Sequence, residues 1–351
     1  MRVHRTIASL LVGAITLTPG PVTAGPSKTK RAAMAARFLV SRQQEDGSIP
    51  GIGDPIWTAD AVVALVAAKR APKAIARALD FLEANADEWD TVGERAKVIL
   101  AEVAGGRDPR DFEDRDLIEE LEATQQDDGR YGADTSVFSH ALAVLALEGA
   151  GGSSTITDAA AWLIAAQCGN GGWQVTGPPT PAEDDHCSFG YPDIDEANAD
   201  TTSLAIQALQ GLPVPVTPEI DPFIFLDTLW DPTNGAWTYD RSDSLHSNFT
   251  SHAANANSSG MVLQAYAADD RFPPTGAIRA LTKLQPRLCG KKAGAFFYTW
   301  VDDDGDGSYK RSRGDDLAAT IGALPGLLSA ELPLARKEVS RAAPKARPCR
   351  D

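Results

Sequence analysis

Aromatic side chains make up only 7% of this 351-residue chain, so a large core must be filled mainly by Ala, Leu and Val, which suits closely packed helices. Basic charge is also in deficit, with 33 Lys and Arg against 48 Asp and Glu, a net charge of −15. A surface of that sign is a poor partner for nucleic acid or anionic membrane and a better one for cations or basic ligands. No stretch after the N-terminus reaches about 18 uninterrupted apolar residues, the minimum for a membrane span; Leu317 to Leu334 comes nearest and is cut by Pro325 and Glu331. No Ser/His/Asp constellation is defined by spacing, and no Gly-rich loop is built to cradle phosphate.

The first 24 residues differ from the rest. Arg2 and Arg5 precede an apolar run from Ile7 to Leu17, and Val22-Thr23-Ala24 offers small residues at a cleavage point, which predicts an export signal. Pro19, Gly20 and Pro21 would break a first helix of the fold there, and no Cys follows the run to carry a lipid anchor. Processing would deepen the net charge to −17 and release a secreted, extracytoplasmic product. Four cysteines in an exported chain predict two disulfides, for which three pairings exist. Cys168 with Cys187 would staple a long loop, and Cys289 with Cys349 would tie down a Lys/Arg/Pro-rich tail.

What the chain does have is an internal repeat. Leu-x3-Gln-x3-Gly followed two residues on by an apolar or aromatic side chain occurs at Leu39/Gln43/Gly47/Ile49, Leu121/Gln125/Gly129/Tyr131 and Leu163/Gln167/Gly171/Trp173. Looser copies are Leu226/Trp230/Gly235/Trp237, Leu281/Gln285/Gly294/Phe296 and Leu79/Glu83/Trp89. The six leucines lie 40, 42, 42, 63 and 55 residues apart, a period of one helix pair per repeat and about twelve helices in all. The first helix of each pair carries Arg37, Arg77, Asp80, Glu119, Glu120 or Lys283 and is expected to keep a wet side. The second is apolar almost all round, as in Ala61 to Leu65, Val98 to Ala101, Ala141 to Leu147, Leu204 to Leu209, Met261 to Tyr266 and Leu317 to Leu324, and belongs inside. Inner and outer helices alternating six times predict an all-α, closed (α/α)6 double ring over residues 25–335, with 336–351 as a tail.

These repeats resemble the Gln-Trp repeats of the terpene cyclase and protein prenyltransferase superfamily, over roughly residues 30 to 332. The resemblance implies the (α/α)6 toroid; its activities range from cyclases and prenyltransferase subunits to cobalamin carriers. Related cyclases protonate an alkene with Asp-x-Asp-Asp at the start of an inner helix. The corresponding stretch here is Asn198-Ala199-Asp200-Thr201, and Asp193-Ile194-Asp195-Glu196 lies upstream, so the motif is incomplete and Asp193, Asp195 and Asp200 are the candidate acids. Helix capping and solvation explain the same residues without catalysis. Prenyltransferase subunits bind zinc through Asp-x-Cys and a later His, a spacing present in Asp185-His186-Cys187 with His246 or His252, but export would oxidise Cys187.

The longer intervals place the candidate site. About 21 extra residues follow Trp173, about 13 follow Trp237, and a similar insertion runs from Phe296 to Gly314, all between the outer and inner helix of a pair. In a ring such connectors gather at one mouth. Candidate ligand-lining residues are Trp57, Asp60, His140, Tyr191, Asp200, Tyr239, His252 and Trp300, whereas Tyr131 and Trp173, being part of the repeat, are expected to pack. Asp302-Asp303-Asp304-Gly305-Asp306-Gly307 alternates carboxylates as calcium loops do. It points to a calcium site of Asp302, Asp304, Asp306 and the Ser308 carbonyl; Arg313 replaces the usual closing Glu, leaving Asp315 or Asp316 to close it. The sequence thus favours an exported, non-catalytic toroid binding a small molecule, glycan or protein at its mouth. The alternative is a terpene-cyclase-like or prenyltransferase-like enzyme acting on an isoprenoid.

Overall fold

The computed structural model describes residues 27–153, 155–177, 197–240, 254–286, 289–301, 310–311, 316–334 and 341–344. Among them are twelve α-helices: α1 (Lys28–Val40), α2 (Trp57–Ala67), α3 (Pro72–Ala84), α4 (Val92–Gly105), α5 (Leu117–Glu122), α6 (Val137–Gly149), α7 (Ile156–Ala165), α8 (Ala199–Gln210), α9 (Pro222–Thr228), α10 (Ala256–Ala268), α11 (Ala277–Lys283) and α12 (Asp316–Leu328). Two antiparallel ladders complete the set, β1 (Trp230–Asp231) with β2 (Ala236–Trp237) and β3 (Trp300–Val301) with β4 (Lys310–Arg311). No helix among the described residues is long and apolar enough to cross a membrane.

The even-numbered helices form a closed inner ring. Each packs on the next from α2 to α12, and α12 packs back on α2. The odd-numbered helices lie outside, with α1, α3, α7 and α11 each bridging two inner neighbours. Amphipathicity sorts the two layers. On α3 the stripe Ala74, Ile75, Ala78, Leu79 and Leu82 is buried while Lys73, Arg77 and Asp80 face water; on α6 every residue from His140 to Leu147 is buried. Local chemistry sets the ends. Thr91 and Glu94 form a reciprocal capping box on α4, and Asn198 and Asn255 accept the N–H groups of Thr201 and Ser258 on α8 and α10.

The repeat motif is the joint between units. Gln43 Nε2 donates to the Gly47 carbonyl at 2.9 Å and to the Ala74 carbonyl of the next outer helix at 2.9 Å. Gln125 does the same to Gly129 and Thr155, and Gln167 to Gly171 and Ile220. One amide thus ties its own turn to the start of the following repeat. Glycine is required there for two reasons: at Gly294 φ is +96°, and a Cβ would lie 1.9 Å from the Met34 carbonyl oxygen on α1. Gln285 in the last repeat donates to Gly294 at 2.9 Å and to Arg31 on α1 at 3.0 Å, which closes the circle.

Arg37 departs from expectation. It is buried rather than on the wet side of α1, and its guanidinium donates to the Ala293 carbonyl across the same seam. Burial lowers its pKa.

The chain beyond α12 turns under the barrel. Leu332 N–H donates to Gln207 Oε1 at 2.9 Å near the end of α8, Pro333 lies against Gly149 at the end of α6, and Ala330 and Leu334 are buried. Further on, Arg341 pairs with Arg70 and accepts from Ala71 N–H at 2.8 Å, beside the start of α3. This segment is the floor of the inner ring.

Candidate functional site

Six inner helices and the floor enclose an axial cavity of about 150 Å3. Near the N-terminal ends of the helices its wall is polar and aromatic: Trp57 and Asp60 on α2, Lys97 on α4, Phe138 on α6, Asp200 on α8 and Asn257 on α10. Deeper down it is mainly apolar, with Leu100, Leu142, Leu204, Met261, Ile321 and Pro325 around the amide of Gln264, which donates to the Gly260 carbonyl at 3.3 Å, and Leu332 of the floor segment belongs to the same lining. Phe138, Asp200 and Asn257 each stand two residues past the capping Ser136, Asn198 or Asn255, so three neighbouring helices present the same helical position to the cavity.

The connectors meet at this end. The N–H groups of Val137, Ala199 and Ala256, first residues of α6, α8 and α10, donate to the carbonyls of Val175, Tyr239 and Tyr298 at 2.7, 2.8 and 2.7 Å. Each acceptor lies two residues past the motif aromatic of the following repeat, which fixes the described connectors on the mouth side.

Charge in the cavity is unevenly satisfied. Asp60 is ion-paired with Lys97 at 2.8 Å, and the same ammonium sits 5.5 Å from the centroid of the Trp57 ring. Asp200 has no such partner. Burial pushes its carboxyl up to about 6, with a hydrogen bond to Ser258 working the other way. That rise is worth about 3 kcal/mol of preference for the protonated form. A position at a helix N-terminus favours the anion by only about 0.3–1 kcal/mol, so desolvation wins. Asp200 Oδ1 and Asn257 Oδ1 are both inaccessible and lack a hydrogen-bond partner. Tyr298 lies close enough that the Asp200 charge adds to burial in raising its hydroxyl pKa, as does Asp240.

Trp57, Asp60 and Asp200 from the sequence prediction therefore share the cavity. His140 does not. It is wholly buried on α6, accepts the Tyr131 N–H on Nδ1 at 3.1 Å, and contacts the Ala159 carbonyl through Nε2 at 2.9 Å. That geometry makes it a neutral Nε2–H imidazole, and burial lowers its pKa to about 4. The reason is visible in four of the other five repeats, where the motif N–H is received by an inner-helix hydroxyl: Ile49 by Thr58, Trp173 by Thr202, Trp237 by Ser259 and Phe296 by Thr320. His140 stands in for a hydroxyl, so its role is joining rather than binding.

Tyr239 contributes its carbonyl to the α8 start and is not among the cavity-lining residues. Trp300 begins β3, opposite Arg311. Tyr131 and Trp173 are fully buried, as their place in the repeat predicts. Tyr191, Asp193, Asp195, His252, the calcium candidates Asp302, Asp304, Asp306, Ser308 and Asp315, and Cys187 and Cys349 lie outside the described residues. Among the described residues no group of three or more His, Cys, Asp or Glu is placed to hold a metal. Neither Cys168 nor Cys289 is a free thiol.

Sequence reasoning missed Lys97, Asn257 and Leu332. A signal for Asn257 was present, since Asn255-Ala256-Asn257 aligns with Asn198-Ala199-Asp200.

No family profile matches the sequence, and no curated protein matches it by sequence. Solved structures do match in shape. An α-1,6-mannanase of Salegentibacter sp. HEL1_6, bound to α-1,6-mannotetrose, superposes with a TM-score of 0.57 at 11% identity, covering 87% of this chain and 99% of its own. The type II terpene cyclase MstE of Scytonema gives 0.56 at 14% identity, covering 86% and 98%, and a protein from Actinoplanes gives 0.56 at 15%, covering 87% and 99%. The chain is an (α/α)6 toroid. It shares that architecture with a terpene cyclase, as the Gln-containing repeats predict, and with a mannanase, which they do not, and likeness at this level of identity establishes the fold alone.

Proposed function

We propose that the protein is an exported toroid that binds a small molecule in its axial cavity without transforming it. The observation that carries this reading is a mainly apolar axial cavity ringed by all six inner helices, with Asp200 and Asn257 side by side in its polar rim. The volume of about 150 Å3 is closer to that of engineered cavities that admit a benzene-sized guest than to the roughly 300–1,000 Å3 of larger ligand sites. It favours a small molecule over the glycan or protein partner that the mouth could otherwise serve. Among the described lining residues Asp60 is neutralised by Lys97 and Asp200 is the one remaining acid, which supports binding without chemistry. Export is supported by the N-terminal signal and by the absence of a free thiol at Cys168 and Cys289, which we pair with Cys187 and Cys349.

A second reading, a terpene-cyclase-like enzyme acting on an isoprenoid, is favoured by one observation. Asp200 occupies the acid position at the start of an inner helix, in apolar surroundings that hold its proton to about pH 6. Native mass spectrometry of the exported protein separates the two readings. A small molecule retained intact, and lost when Leu204→Trp fills the cavity, supports binding; turnover of an added polyprenyl substrate that Asp200→Asn abolishes overturns the non-catalytic assignment.

A further inference from the structure

The reading of the axial cavity as a binding site leaves open what occupies it, and its rim is selective. Resting on that reading, we propose that the occupant is a small amphiphilic amine, its ammonium held between Asp200 and Asn257 and its hydrocarbon part filling the apolar shaft.

The first argument is hydrogen bonding. Asp200 on α8 and Asn257 on α10 occupy equivalent positions on helices that pack against each other, and both residues line the cavity. An ionised carboxylate only accepts hydrogen bonds, and the Asn257 amide beside it offers a further acceptor, so the pair suits a donor-rich guest. An ammonium supplies three donors and no acceptor, whereas a hydroxyl supplies one donor and adds acceptor lone pairs of its own. The second argument is charge. The Lys97 ammonium is committed to Asp60 and the Trp57 ring, so Asp200 is the uncompensated charge of the lining and a monocation balances it. A carboxylate guest would meet that charge in a low-dielectric site, and the chain's net −15 repels anions from the mouth as well. The third argument is size and polarity. Below the rim Leu142, Leu204, Met261 and Ile321 outweigh the single amide of Gln264, and about 150 Å3 accommodates a short alkyl chain or one aromatic ring.

Isothermal titration of the full mature chain with hexylamine, hexanol and hexanoate tests the proposal at constant chain length. Hexylamine should bind about tenfold or more tightly than hexanol, with hexanoate weaker than both. Asp200→Asn, checked for native ellipticity, should bring hexylamine to the level of hexanol, and Asn257→Leu should weaken hexylamine independently. Equal affinity of amine and alcohol for the wild-type protein would overturn the amine assignment while leaving the cavity a binding site. Failure of all three probes to bind would overturn both.

Discussion

Gln285→Ala removes the one amide that joins the last repeat to the first, and its cost can be worked from the structure. Gln285 is wholly buried, its Nε2 donates to the carbonyls of Gly294 and Arg31, and its Oε1 receives Arg31 Nη1 at 3.4 Å. Truncation leaves two carbonyls short of a donor. At about 0.5–1.5 kcal/mol for each net hydrogen bond, more where the orphaned acceptor stays buried, the loss is about 2–4 kcal/mol. Gln43→Ala breaks the same two bonds between the first and second repeats, which the chain also joins covalently, and Gln43 is only partly buried. It should cost about 1–2 kcal/mol. Urea denaturation followed by ellipticity gives both values, and the melting midpoint of Gln285→Ala should fall by roughly 3–6 °C for a domain of this size. Hydrogen exchange supplies the location, because only an opened seam selectively deprotects α1 amides. A loss below about 0.5 kcal/mol with α1 protection unchanged would refute the closed-ring account of Gln285.

Three further outcomes are expected. His140→Thr should be more stable than the similarly shaped His140→Val by about 1 kcal/mol, because a hydroxyl again receives the Tyr131 N–H; equal melting temperatures would contradict the joining role. The depressed imidazole pKa adds stability that is present above pH 6.5 and lost as the pH falls toward 4, and this acid-sensitive part should be missing from His140→Thr. Glu102 on α4 is buried with both oxygens unpartnered, and burial raises its pKa to about 8 against the opposing charge of Arg107. Its contribution is therefore present below pH 4.5 and lost as the pH rises through 8, so Glu102→Gln should gain on the wild type between pH 6 and 9, and parallel stability curves would rule this out. For the proposed calcium loop, added calcium should raise the melting midpoint and Asp304→Ala should abolish the rise; a wild-type curve indifferent to chelator removes the metal from the account.

The ring was legible because one residue type carries two jobs. Gln43, Gln125, Gln167 and Gln285 each recur before a glycine, and the geometry that makes them recur is the geometry that joins neighbours. Inner helices were equally plain, since a segment such as Ala141 to Leu147 has no side to offer water. The site was half legible. Asp200 and Trp57 sit where the connector pattern places them, but His140 was misassigned because its partners in other repeats are Thr and Ser, which share its capacity to accept a proton donor and not its letter. Arg37 is hidden for a related reason, as a cation on an outer helix reads as solvated until its carbonyl partner on a distant repeat is known. Leu332 could not be placed at all, since only the path of the chain beneath the barrel brings it to the cavity.

The segment that follows α12 also bears on how the cavity would exchange its contents. With Leu332 and Pro333 packed against the ends of α8 and α6, a guest of the proposed kind would enter and leave at the opposite end of the inner ring, and access there would set its residence time. On the proposed reading the toroid is a container, not a conduit.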